Sequence, residues 1–167
     1  MKWRRQVGIS AAFLVIKALL DSSSLFDISR ANLKRNQPWA QNILRHEMAY
    51  KEHHQILTIS GMTVFELLDG FYRRADQTAV AHFHKNLLPT YEVIRTDPQI
   101  EDKAAEINGR LVRAGMRIGI VDAFVAATAI SHGLTLVNAN TKHFQRVVDL
   151  GFPLTLTNWR ELASNGG

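Results

Sequence analysis

The chain has 167 residues, 46% hydrophobic and 21% charged, an ordinary globular composition long enough to bury one real core. Twenty Lys and Arg against fifteen Asp and Glu leave a net charge of +5, which favours polyanionic partners. The absence of cysteine excludes a disulfide framework and a thiolate metal site.

MKWRR followed by GISAAFLVI has the basic and apolar parts of a short signal peptide. Lys17 interrupts the apolar run, and no small-residue cleavage site follows. No stretch reaches the ~20 apolar residues of a membrane helix. Residues 1–12 are expected to be an N-terminal extension on a cytoplasmic protein without a membrane segment, with a signal anchor as the alternative. Residues 13–160 are expected to form a single domain, and 161–167 a polar tail.

Phe13 to Leu20 reads as a strand buried on both faces. Asp21 ends it, and Ser22, Ser23 and Ser24 bring turn and cap chemistry. Pro38 starts a helix carrying Trp39, Ile43, Leu44 and Met48, which ends in the polar KEHHQ. Ile56, Leu57 and Ile59 form a second strand. Ser60 caps a helix from about Met62 to Arg74, and a further helix is expected from Asp76 to Leu88, stopped by Pro89. Tyr91, Val93 and Ile94 make a third strand. Asp97 and Pro98 read as N-cap and first helical residue of a helix ending near Gly115. Asp122 opens a helix that is apolar almost all round and therefore buried, with Gly133 as its stop. Leu134 to Val137 is a fourth strand, ending in Asn138-Ala139-Asn140. Phe144 to Leu150 is a short helix, and Leu154 to Thr157 a last strand.

Strands alternating with helices predict an α/β fold with a mostly parallel sheet of four to five strands, covered by helices on both faces. Ligands of such sheets bind beyond the carboxyl ends of the strands. Asp21, Glu66, Asp122 and the pair Asn138 and Asn140 come from four segments expected at that edge. Each has a plain structural reading: Asp21 as a turn residue, Glu66 as an exposed helix residue with Asp69 as its rival, Asp122 as an N-cap, the asparagines as turn formers. Their conjunction favours a site. Crowded carboxylates repel unless a proton or a cation lies among them. Oxygen ligands alone favour Mg²⁺ or Mn²⁺, which can activate water against a phosphodiester. Arg73, Arg74, Arg113, Arg117, Lys142 and Arg146 are candidates for holding a nucleic-acid backbone. His53, His54, His82 and His84 read as surface or packing residues.

LLDSSSLFD, ISGMTVFELLDG and IGIVDAFVAATAISHGLTLVNANTKHF together resemble the PIN-domain ribonucleases, and among them the VapC-like toxins of toxin–antitoxin pairs. The resemblance runs from about residue 13 to Trp159. It implies a PIN-like fold and Mg²⁺- or Mn²⁺-dependent cleavage of RNA. It also implies a homodimer and a cognate antitoxin that covers the active-site groove. Asp21, Glu66 and Asp122 match the family's three metal-binding and catalytic acids: Asp21 and Asp122 as ligands, Glu66 as a ligand or a base acting through water. Asn140 falls where many members carry a fourth acid, and would hold a metal-bound water or a phosphate oxygen. Asn138, Ser22, Ser23 and His143 depart from the commonest residues of the pattern or stand at its variable places. Two rivals remain open. One is a degenerate PIN domain that binds RNA or a partner protein without cutting. The other is a hydrolase with Asp21 as phosphoryl acceptor, which lacks the second Asp two residues on, where Ser23 stands.

Overall fold

A computed structural model of the chain describes residues 16–161. The expectations for residues 1–12, for the start of the first strand at 13–15 and for the tail at 162–167 lie outside the described residues.

Five short strands form one parallel sheet: β1 (Ala18–Leu20), β2 (Leu57–Ser60), β3 (Tyr91–Ile94), β4 (Thr135–Val137) and β5 (Thr155–Thr157). Their order is β3-β2-β1-β4-β5, with β1 in the centre. The connections leave β1 toward β2 on one side and return to β4 on the other, so the strand order reverses beside β1, where such sheets open a crevice.

Period-two alternation places β1's neighbouring leucines on opposite faces. Leu19 packs into one core with Ile100, Ile107, Val125 and Phe144. Leu20 packs into the other with Leu25, Ile43, Val64 and Phe83. Full burial of each such side chain contributes on the order of 2 kcal/mol. The second core is roofed by α1 (Ser22–Leu33), α2 (Pro38–His54) and α3 (Gly61–Arg73), the first by α5 (Pro98–Arg113), α6 (Ile120–Ser131) and α7 (Thr141–Asp149). The sandwich of helices around a parallel sheet is the expected PIN-like architecture.

Local differences have local causes. Ser22–Ser24 do not make a turn: Asp21 caps them and they begin α1. The helix expected from Asp76 to Leu88 holds its α form only as α4 (Gln77–His82). It then widens into a π turn at Phe83–Leu87 and tightens into a 3₁₀ turn at Leu88–Thr90. The buried Phe83 ring packs 6.0 Å from Phe71, and Pro89 cannot continue an α-helix. Asp122 lies inside the first turn of α6; Gly119 occupies the cap position. His53 and His54 lie in the last turn of α2.

Candidate active site

Parallel pairing brings the strand ends into line. Leu20 is opposite Val137, and Val137 opposite Thr157. The ladder runs one rung further: the Asp21 amide donates to the Val137 carbonyl at 3.3 Å, and the Asn138 amide to the Thr157 carbonyl at 3.0 Å. Asp21 and Asn138 thus stand side by side where β1 and β4 end.

Asp21 is the N-cap of α1 and is only 7% exposed. Its Oδ1 accepts from the Ser24 amide at 2.8 Å, and the Ser23 hydroxyl reaches both carboxylate oxygens at 2.9 Å. The Asn138 side-chain amide donates to Oδ2. Burial still prevails over these donors and holds the carboxyl above its ordinary range. Among the described residues, no cationic side chain is one of its hydrogen-bond partners.

Glu66 projects from the second turn of α3, half-buried, and Oε2 accepts from Ser22 Oγ at 2.9 Å. Burial raises its proton affinity, and the negative charges of Asp122 and Asp21 raise it further. Glu66 therefore stands within electrostatic reach of both other acids. Asp122 meets His143 Nδ1, from the first turn of α7, at 3.2 Å. Gly119 lies so close that an added Cβ would come within 3.2 Å of Asp122 Oδ2.

Asn140 is exposed at the N-cap of α7, with no capping bond from its side chain. Its backbone amide donates to Asn138 Oδ1 at 2.6 Å. Asn138 is the tie between the asparagine turn and Asp21, a role its reading as a simple turn former misses. Ser22, Ser23 and His143 are the other residues whose part the sequence did not reveal. For the serines the signal was their place directly after a capping Asp; for His143 it was one helical turn beyond Asn140.

The acids share one edge without meeting at one point. Among the described residues, no three Asp, Glu or His side chains stand placed to hold a metal ion together. Ser22 holds Glu66, His143 holds Asp122, and Asn138 with the serines holds Asp21. The donor chemistry nonetheless suits a hard divalent cation: carboxylate and amide oxygens only, with two carboxyls whose charged forms are disfavoured where they stand.

The basic residues divide. Arg73 is paired with Asp69 at 2.7 Å, and the Arg74 guanidinium stands 5.5 Å from the Phe71 ring centroid, both at the far end of α3 from Glu66's turn. Arg146 donates to the Arg117 carbonyl at 2.6 Å, which joins α7 to the loop before Gly119. Arg117, Lys142 and Arg146 therefore flank the Asp122 side.

Known proteins resemble this chain in sequence and fold. The family model of the PIN domain matches residues 18–150. Ribonuclease VapC1 of Methanocaldococcus jannaschii is 30% identical over 96 residues, 58% of this chain and 68% of that protein. The tRNA(fMet)-specific endonuclease VapC of Salmonella typhimurium is 28% identical over 91 residues, 54% of this chain and 69% of that one. The crystal structure of DNA-bound VapBC from Salmonella typhimurium contains a chain that superposes with a TM-score of 0.65 at 24% identity, covering 86% of this chain and 98% of the other. The chain belongs to the PIN domain family, among its VapC-like ribonucleases.

Proposed function

We propose that the protein is a divalent-metal-dependent endoribonuclease and the toxin of a toxin–antitoxin pair. The observation that carries the reading is the buried Asp21 carboxylate at the strand-order reversal, raised in proton affinity and sharing its edge with Glu66 and Asp122. Asp21, Asp122 and Glu66 would hold Mg²⁺ or Mn²⁺. The ion supplies Lewis acidity toward a phosphodiester and an activated water. Glu66, whose proton affinity both acids raise, accepts a proton from the attacking water. Asn138 keeps Asp21 oriented, His143 keeps Asp122 oriented, and the exposed Asn140 side chain donates to a phosphate oxygen. We infer a cytoplasmic location from the action on RNA; among the described residues no helix is long and apolar enough to cross a membrane.

A homodimer is supported by α3, where Phe65 and Tyr72, two turns apart, are 53% and 55% exposed, and by Ile120 at 67%. Sedimentation equilibrium should read a dimer that Phe65→Glu dissociates; an unaltered mass in that variant refutes this face. The neighbouring VapBC assemblies support an antitoxin partner.

The decisive experiment is incubation with a panel of structured and single-stranded RNAs, tRNA included, with Mg²⁺, Mn²⁺ or EDTA. Cleavage is expected with either ion and none with EDTA. A protein that binds RNA with no cleavage under any metal would instead be the degenerate binder, a reading that draws on Asn140 in place of a fourth acid.

A further inference from the structure

A row of concavities leads away from the acids along α1. The first is a small void of about 10 Å³ walled by the buried Ser24, Asp27 and Trp159 with Ala139 and Arg160; the second, open to solvent, is lined by Arg30, Lys34, Trp39 and Arg160, and the third by residues 32–37 together with Trp39. Each shares residues with the next: Arg160 links the first two, Lys34 and Trp39 the last two. The void backs onto the acidic site, because the Ser24 amide is bonded to Asp21 and Ala139 lies between Asn138 and Asn140, and the open part of the row starts beside it at Arg160. It ends where α1 gives way to α2, ~20 Å from Asp21 at the helical rise per residue.

Its chemistry is that of a polyanion track. The sequence holds no acid between Asp27 and Glu47, while Arg30, Lys34 and Arg35 fall in that interval. Asp27 itself is consumed by Arg160, whose Nε and Nη2 each reach it at 2.6 Å, leaving Nη1 outside the pair. Arg30 and Lys34 are exposed, and among the described residues neither has a carboxylate partner. Cations at a helix C-terminus also answer the helix dipole. That accounts for Arg30 and Lys34 alone, not for Arg160 in the middle of the row or for the half-exposed Trp39 between the cations, 5.8 Å from the Arg160 guanidinium. Alternating cations with an aromatic platform suit single-stranded nucleic acid, whose phosphates pair with the cations and whose bases stack on the ring.

We propose that this trough is the track for the RNA strand on one side of the scissile phosphate: Arg160, Arg30 and Lys34 hold successive phosphates, and Trp39 takes an unstacked base. The proposal rests on the ribonuclease reading, and it deepens that reading by naming single-stranded RNA of several nucleotides as the form bound. The trough sits apart from the Arg117, Lys142 and Arg146 side of the site.

The test uses the non-cleaving Asp21→Asn protein, so that binding is read independently of cleavage. The affinity for a labelled single-stranded RNA is measured against salt, with and without the pair Arg30→Ala and Lys34→Ala, both exposed positions. Loss of two phosphate contacts should weaken binding about tenfold at low salt and flatten the log–log salt slope by about 1.4. In the cleaving protein the same pair should raise KM for long RNAs, leave kcat unchanged, and leave a dinucleotide substrate unaffected. Equal affinity and slope in the two proteins overturn the track. So does a pair of substitutions that abolishes binding of an acidic peptide while RNA binding stands, which assigns the trough to a protein partner. Wild-type protein that binds RNA through these cations but never cleaves it overturns the ribonuclease reading and leaves the track standing.

Discussion

Two buried aspartates belong to α1, one capping it and one in its second turn, and they are treated in opposite ways. Asp27 is 4% exposed and meets a guanidinium through two bonds of 2.6 Å. Asp21 is 7% exposed and, among the described residues, meets only neutral donors: a backbone amide, a serine hydroxyl and an asparagine amide. A buried carboxylate that has its cation is a structural element. One that has only dipoles is held at a cost, and such costs concentrate where a function needs the charge. The lesson is that burial alone does not mark the working acid; burial without a resident counter-charge does.

Breaking the Asp21 side should have the largest effect. Asp21→Asn keeps an N-cap of equal quality, so the fold survives. Cleavage of RNA should fall by roughly a thousandfold, about 4 kcal/mol in the barrier. The stabilisation by Mn²⁺, about 2.7 kcal/mol at a hundredfold excess over its Kd, should vanish with it. Activity within a few-fold of wild type, in protein freed of host nuclease, would remove Asp21 from the site.

Next comes the partner of the other aspartate. Arg160→Ala strands the Asp27 carboxylate, and urea unfolding should show a loss of about 3–5 kcal/mol. Asp27→Asn should cost less, because the Arg160 side chain is 43% exposed and can turn to water. Equal costs for the two variants would mean that the pair is not acting as a buried ion pair.

The smallest effect sharpens the contrast. Glu66 has its carboxyl held above the usual value of 4.5, first by burial and then by Asp122 and Asp21. The folded state therefore holds its proton more tightly than the unfolded chain does. The cost of its charge is complete above the raised folded value, fades as pH falls, and is gone below the unfolded value. Glu66→Gln should accordingly raise the Tm of metal-free protein at pH 7 by roughly one to two degrees, a figure reduced by the half-exposure of the side chain. The gain should disappear in mild acid. A lower Tm at pH 7 would show that the bond to Ser22 outweighs the repulsion.

The sheet was legible because its strands are short apolar runs between helical periods, and parallel pairing follows from that alternation. Ser60 and Asp97 as caps were legible for the same local reason: each accepts from the amide three residues on, at 2.9 Å from Thr63 and 2.8 Å from Ile100. The start of α1 was not, since three serines in a row carry turn and cap chemistry alike, and only Asp21's bond to the Ser24 amide decides between them. The three acids could be assigned to one edge, because strand ends determine it. Their separate tethers could not be read, because Ser22 to Glu66, Asn138 to Asp21 and His143 to Asp122 are contacts between segments far apart in the chain. The cation for Asp27 was hidden for the same reason.

That last contact has a consequence for the order in which the protein is made. Asp27 leaves the ribosome 133 residues before Arg160 does. The segment carrying Arg160 also seats itself on α2, where Trp159 stacks 5.8 Å from His46 and Asn42 reaches the Arg160 carbonyl at 2.9 Å. Until then the Asp27 carboxylate lacks the cation that it meets in the finished fold. A nascent chain stalled before Arg160 should therefore be an inert one, so that a cell translating this nuclease meets an active molecule only after its last strand has emerged.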